Sequence, residues 1–460
     1  MGNTIVALAT PIGRSGIGVV RLSGPESLDI TRRILGDAQY EPPSHTARLG
    51  TLRDPQTGDA LDEALITYFK SPNSFTGEDV VEISCHGSPV LLRQVIDIAL
   101  SLSARMADAG EFSLRALANG RMDLAEAEAI RDLIDAQTTA SARQAVRQLR
   151  GEFSDRLQPI KDDLLNVIVV LESALEFVED DLPETQADRI RSGLMSIAVE
   201  IERIAGTFKA GKLIREGLTV ALVGRPNVGK SSLFNALLGS DRAIVTEIAG
   251  TTRDQIHERY TIKGIPISLI DTAGLRDTTD IVESIGVERS KRTMADVDLV
   301  LVLLDASEDI TDEDVEILRA AEDLNHLVVI NKVDKAAAGR TGDALETIER
   351  EYGYAKSKTL AISATEGAGL EALEQAILQP FHSDEIEAKG FLVTDARHYD
   401  LLTRSKVEID NSVALLEQRT SEEIVLIGLH NALRYLGQIT GETTTEDMLT
   451  RIFATFCIGK

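Results

Sequence analysis

The string Gly224-Arg225-Pro226-Asn227-Val228-Gly229-Lys230-Ser231 fits the pattern G-x-x-x-x-G-K-[ST]. In that pattern the glycines let backbone N–H groups wrap phosphate oxygens, and the helix that follows adds positive potential. Lys230 would reach the β and γ oxygens and Ser231 would ligate Mg²⁺. Three further strings follow in the order such a site needs. Asp271-Thr272-Ala273-Gly274 supplies a carboxylate that can hold Mg²⁺ through water, and a glycine N–H that can sense a γ-phosphate. Asn331-Lys332-Val333-Asp334 supplies the Asp334 carboxylate, which can accept from both N1–H and the exocyclic amine of guanine, a donor pair adenine lacks. Ser363-Ala364-Thr365 supplies backbone N–H groups for the guanine O6. Gly250-Thr251-Thr252-Arg253-Asp254 reads as a switch segment, with Thr252 closing on Mg²⁺ when the γ-phosphate is present.

One part of the usual hydrolytic machinery is missing. Leu275 follows Gly274, where many GTPases carry the Gln that orients the attacking water. Asn227 places a neutral oxygen donor near the phosphates, able to help hold a monovalent cation that acts electrostatically as an inserted arginine does elsewhere. Glu283, in the second switch region, is a candidate to position water. Read without further context, it is more readily a solvated charge than a catalytic group, since acidic residues are mostly exposed.

The elements that must position these groups are legible from apolar patterning. Leu218–Val223, Ile267–Ile270, Leu299–Leu304, Leu327–Ile330 and Thr359–Ile362 read as buried strands alternating with helices, hence a mostly parallel sheet. Four of the motifs stand at the carboxyl ends of such runs, where open α/β sheets place ligands. Ahead of them, Val19–Leu22, Ala64–Phe69 and Val80–Ile83 suggest strands of a mixed α/β unit. Asp123 with Glu126 suits a helix N-cap with capping box. Leu157, Ile160, Leu164, Ile168, Leu171 and Leu175 step by three or four, as do Ile190, Leu194, Ile197, Ile201, Ile204 and Phe208. Those are amphipathic bundle helices, and the texture resumes after Phe381 with Leu426, Leu429, Leu433 and Leu436. The expected fold is multidomain: an α/β domain over 1–118, a helical-bundle domain over 119–216 and 381–460, and a doubly wound P-loop GTPase domain over 217–380 inserted into it.

Composition limits the partners. The 460 residues are 43% apolar and 27% charged, ordinary for a globular chain. No apolar run approaches the roughly 18–20 residues of a membrane span. Met1–Val6 lacks the layout of a signal peptide, and Val6 stands where myristoylation needs Ser or Thr. With two cysteines, Cys85 and Cys457, a reduced cytoplasmic protein is expected. The 74 acidic and 48 basic side chains give a net charge of -26, so an RNA partner must meet a local basic patch or be held by another protein. Arg143, Arg147 and Arg150 form one basic stripe on a predicted helix, readable also as a solvated face.

The chain resembles the MnmE or TrmE family of tRNA-modification GTPases. The likeness extends beyond the GTPase strings to Thr10-Pro11-x-Gly13-Arg14-x-Gly16, Pro72–Asp79, Gly110–Ser113, Asp123–Ile130, Ile248–Asp254 and Phe456-Cys457-Ile458-Gly459-Lys460. The resemblance implies a folate-binding N-terminal domain through which the protein forms a homodimer, a helical domain and an inserted G domain. It also implies a flavoprotein partner of the MnmG (GidA) type, using FAD and NADH, and installation of an aminomethyl-type group on C5 of a tRNA wobble uridine. A tetrahydrofolate derivative, in the 5-formyl or methylene form, would supply the one-carbon unit.

Residue by residue, the resemblance places the nucleotide against Asn227, Val228, Gly229, Lys230, Ser231 and Ser232, and against Thr246, Glu247, Ile248, Ala249, Gly250, Thr251 and Thr252. It adds Asp271, Thr272, Ala273 and Gly274, then Asn331, Lys332, Val333 and Asp334, then Ser363, Ala364 and Thr365. Ser231 and Thr252 would bind Mg²⁺. Asn227, Thr246, Ile248 and Thr251 would surround K⁺, and Glu283 would orient water as the catalytic residue. Folate would fall to Arg21, Glu82, Arg121 and Lys460, each of which alone reads as a surface charge. Cys457 reads either as a reactive thiol or as a buried structural one. Two other classes stay open here: a GTP-switched RNA or ribosome assembly factor without its own modification chemistry, and a folate-dependent enzyme that GTP only regulates. The first predicts a basic or aromatic RNA module after the G domain, whereas the chain returns to an acidic helical texture.

Overall fold

The computed structural model describes residues 2–176, 184–240, 257–271, 297–337, 358–379, 390–443 and 445–459, with residues 341, 342, 346, 348 and 350 besides. The chain divides into two compact units, one of residues 1–134, 145–198 and 404–460, the other of residues 135–144 and 199–403.

The first unit contains a six-stranded sheet in the order β3-β4-β5-β2-β1-β6. Its strands are β1 (Ile5–Leu8), β2 (Ser15–Ser23), β3 (Ala47–Arg53), β4 (Ala60–Phe69), β5 (Val80–Gly87) and β6 (Arg105–Met106). All neighbours run antiparallel except β1 with β6. Alternate residues Ile66 and Tyr68 on β4, and Val81 and Ile83 on β5, turn to a core shared with Ile30, Ile34, Leu92 and Val95 of the covering helices Ser27–Leu35 and Pro89–Ser101. That period of two makes β2, β4 and β5 readable from sequence. β3 escapes it because it is an edge strand with only Leu52 buried.

Farther along, Asp123 N donates to Glu126 Oε2 at 2.8 Å and Glu126 N to Asp123 Oδ1 at 2.8 Å, the expected capping box on helix Leu124–Asp135. Helix Glu152–Glu176 buries Leu157, Ile160, Leu164, Ile168 and Leu171 and packs on helix Glu422–Thr440, which buries Leu426, Leu429 and Leu436. The Leu175 side chain lies outside the described residues. Helix Glu184–Ala205 ends before Gly206, so Phe208 begins the next helix, Phe208–Glu216, instead of continuing the seam. Thr207 Oγ donates back to Ile204 O at 2.7 Å, the kind of local bond that competes with helix continuation.

The second unit is built on a sheet of order β12-β11-β10-β7-β9-β8, from β7 (Leu218–Val223), β8 (His257–Ile262), β9 (Ile265–Asp271), β10 (Leu299–Asp305), β11 (His326–Asn331) and β12 (Thr359–Ala361). It is parallel except for β8, an antiparallel edge strand joined to β9 through Lys263-Gly264, both at positive φ as two-residue hairpins require. Every residue of β10 is buried. Leu299, Leu301 and Leu303 face a core with Leu233, Leu237 and Leu373, while Val300, Val302 and Leu304 face Leu318 and Ala321. Burial on both faces is why this strand reads as an unbroken apolar run. The expected α/β class holds for both sheets, and among the described residues no helix is long and apolar enough to cross a membrane.

Candidate functional site

The phosphate loop joins β7 to helix Lys230–Ser240. Its conformation is one few residues tolerate. Gly229 sits at φ 99, and a Cβ there would lie 2.3 Å from Asn331 Nδ2, so only glycine allows the two loops to meet. Asn227 adopts φ 64, left-handed for a non-glycine residue and costing on the order of 1 kcal/mol. Lys230 is buried, and its Nζ donates to Gly224 O at 2.6 Å and Arg225 O at 2.8 Å. Ser231, Ser232 and Asn227 are exposed, while Val228 is buried.

The base-reading residues meet this loop directly. Asn331, fully buried at the end of β11, donates through Nδ2 to Val228 O at 2.9 Å and accepts at Oδ1 from Ala364 N at 3.1 Å. One amide therefore clamps the phosphate loop to the Ser363–Thr365 turn. Asp334 is exposed, and Ser363 Oγ donates to its Oδ1 at 2.6 Å. The Ser363 hydroxyl holds the Asp334 carboxyl below its ordinary value, so it is ionised and an acceptor at neutral pH. Its free edge suits a paired N–H donor. Val333 and Lys332 are half-buried beside it, with Lys332 at φ 64.

Sequence reasoning passed over the carboxylates behind the loop. Asp305, ending β10, accepts from Lys332 Nζ at 2.6 Å and from Ser307 N and Oγ at 2.9 and 2.6 Å. Lys332 Nζ also donates to Asn227 O at 2.6 Å. The Arg225 guanidinium lies 2.7 Å from Glu308 and 3.1 Å from Asp314. The only sequence signal was an acidic residue closing an apolar strand, as Asp271 also does.

In the first unit, Arg21 on β2 and Glu82 on β5 are register partners, with Arg21 Nε donating to Glu82 Oε1 at 2.9 Å. The Arg21 guanidinium stands 5.6 Å from the Phe75 ring centroid and 5.7 Å from that of Phe112, and it donates to Gly459 O at 3.3 Å. The chain's end thus reaches the same place, fixed by a bridge between Ala109 and Ile458 and by Gly110 N donating to Cys457 O. Arg121 Nε donates to Ser74 O at 3.1 Å. His45, Phe69, Asn73, Ser74, Phe75 and Arg121 line an open cleft of about 590 Å³, within the size range of small-molecule sites. Of the residues expected to hold folate, Arg121 lines this cleft, whereas Arg21 and Glu82 pair with each other beside Phe75 and are not among its lining residues.

Several expectations fall outside the described residues: Thr246, Glu247, Ile248, Ala249, Gly250, Thr251 and Thr252 of the first switch, Thr272, Ala273, Gly274 and Glu283 of the second, and Lys460. Asp271 is described only as the last residue of β9. Arg143 and Arg147 lie on helix Thr139–Leu149, with Arg150 just beyond its end. Arg143 and Arg150 are exposed, and Arg147 stands 4.0 Å from Glu152. Cys457 is exposed, which removes its reading as a buried structural thiol. Cys85 is the buried one, its thiol pushed up to about 11 by burial.

A phosphate loop between a parallel strand and a helix, clamped to an Asn-Lys-x-Asp turn, defines a P-loop GTPase. Two family models match the chain: GTP-binding protein TrmE N-terminus over residues 4–121 and the MnmE helical domain over residues 124–457. Its relatives include the tRNA modification GTPase MnmE of Koribacter versatilis (strain Ellin345), 44% identical, and that of Aquifex aeolicus (strain VF5), 43% identical, with 100% of each chain covered in both cases. The chain belongs to the MnmE family of tRNA modification GTPases.

Proposed function

We propose that this chain couples K⁺-dependent GTP hydrolysis to modification of C5 of the wobble uridine in tRNA, acting as a cytoplasmic homodimer with a flavoprotein partner of the MnmG type. The Asn331 clamp carries this reading, because it makes base recognition and phosphate binding one site. Asp334 reads guanine, Lys230 and the loop N–H groups hold the phosphates, and Ser231 with Thr252 binds Mg²⁺. The side chain of Asn227, with Thr246, Ile248 and Thr251, holds K⁺, which supplies positive charge against the phosphates when bound. Glu283 orients the attacking water. Arg21, Glu82, Arg121 and Lys460 hold a tetrahydrofolate derivative that brings the one-carbon unit, and FAD and NADH work on the partner. Residues 1–118 serve folate binding and dimerisation, 119–216 with 381–460 the helical domain, and 217–380 the G domain.

The test is reconstitution with unmodified tRNA, the flavoprotein, NADH, a methylene folate and a nitrogen donor, followed by mass spectrometry of the nucleosides. Modified uridine is expected with the native chain and not with Lys230→Ala. Modification at the native rate without this chain, or with Lys230→Ala, would overturn the reading.

A further inference from the structure

Lys332 is placed between two acceptors. One is Asn227 O in the phosphate loop, at 2.6 Å, and the other is Asp305 Oδ2 at the end of β10, also at 2.6 Å. Asp305 itself is not free to swing. Its side chain is 3% exposed, and its other oxygen takes the Ser307 N–H and hydroxyl. Ala306 N adds a bond to Asn331 O at 2.8 Å, so the turn after β10 is fastened to the strand that ends in the base-reading motif.

We propose that Asp305 is a positioning residue for guanine-nucleotide binding: it fixes the Lys332 ammonium, and through it the left-handed Asn227 carbonyl, so that the phosphate loop is held in register with the base-reading turn. The physical reason lies in what Asn227 needs. A non-glycine residue at φ 64 is held only where its surroundings over-determine it, and here the fixing bond comes from a lysine with a flexible four-carbon stem. Left unpaired on its far side, that stem would sample other rotamers and release the carbonyl. A buried carboxylate whose remaining lone pairs are taken by Ser307 removes that freedom. Burial alone would raise the Asp305 carboxyl, but the Lys332 ammonium and the Ser307 donors outweigh it and hold it low, so the ion pair is intact at neutral pH. The loop's other shoulder is gripped by Glu308 of the same turn and by Asp314 on helix Asp312–Ala321, which both meet Arg225.

The role concerns nucleotide binding alone, and it stands whether or not hydrolysis needs potassium. Release of a fluorescent GDP analogue from the full-length protein tests it, in a double-mutant cycle of Asp305→Asn and Lys332→Met read beside thermal melting. Loss of a charge-assisted bond predicts release about ten- to a hundredfold faster in Asp305→Asn. In the double variant, release should be no faster than in Lys332→Met alone, because both changes break one chain of contacts. Ser307→Ala, which leaves the ion pair and the backbone N–H bond but removes the hydroxyl bond to the carboxylate, should give a smaller change in the same direction, and it serves if Asp305→Asn fails to fold. Unchanged release in Asp305→Asn or Ser307→Ala, or effects that multiply in the double variant, would overturn the proposal.

Discussion

At the scale of single residues, the nucleotide site depends on groups whose neighbours leave them one available edge. Asp334 illustrates this. Ser363 takes one side of its carboxylate, and the rest faces solvent, where a guanine can offer two N–H groups. Asp334→Asn replaces an acceptor pair by one acceptor and one donor, so the N1–H or the amine meets a donor. GTP affinity should fall by about a hundredfold or more, because a site built to pair polar groups strongly rejects a mismatch. Isothermal titration would check this, with a melting curve close to native since the carboxylate is exposed. Asp305 marks the limit of reading at this scale. Asp334 stands in a string that announces itself, but Asp305 is a lone acidic residue whose partner lies 27 positions away, and no local pattern pairs them.

At the scale of elements, helix Glu111–Ala118 is tied into the first sheet by a buried ionic cluster. Arg115, 1% exposed, stands 2.7 Å from Glu78 and 2.9 Å from Glu111, and it donates to Asn3 O at 2.9 Å. Removing it leaves Glu78 without its counter-charge and Glu111 with Arg105 alone, so Arg115→Ala should cost about 3–5 kcal/mol in denaturant unfolding. The cluster also sets a pH dependence. Burial alone would raise the Glu111 carboxyl, but Arg105, the Asp108 N–H and Arg115 together hold it below 4.5. A carboxyl with a depressed folded value contributes stability above its unfolded value and loses it as pH falls through the folded one. Stability should therefore drop as the medium is acidified below about pH 4.5, and Glu111→Gln should flatten that slope while lowering stability at neutral pH.

Elements also divide what was legible from what was not. β10 and β11 read plainly because both faces are covered, and the capping box at Asp123 because its partners are three residues apart. Arg21 and Glu82 lie 61 residues apart and meet only through the register of β2 with β5. Without that register the sequence offers two ordinary charges, and the family likeness alone singled them out. β8 gave only a short signal, since its alternation is confined to Tyr260 and Ile262 and Lys263-Gly264 is not a familiar hairpin dipeptide.

At the scale of the whole molecule, charge and chemistry must be reconciled. A net charge of -26 repels tRNA on average, so the chain alone should bind tRNA weakly, with affinity falling steeply as salt rises. Addition of the flavoprotein should tighten binding, measurable by filter retention across a salt series, and tight binding by this chain alone at physiological salt would contradict that division of labour. In the proposed function, a bound cation and Glu283 stand in for the glutamine that this GTPase lacks. The most direct measurement is phosphate release from GTP at equal ionic strength in KCl and in NaCl. Hydrolysis is expected to be at least about tenfold faster in K⁺, since lost transition-state charge stabilisation costs one to several orders of magnitude. Equal rates in the two salts would contradict that role for the cation.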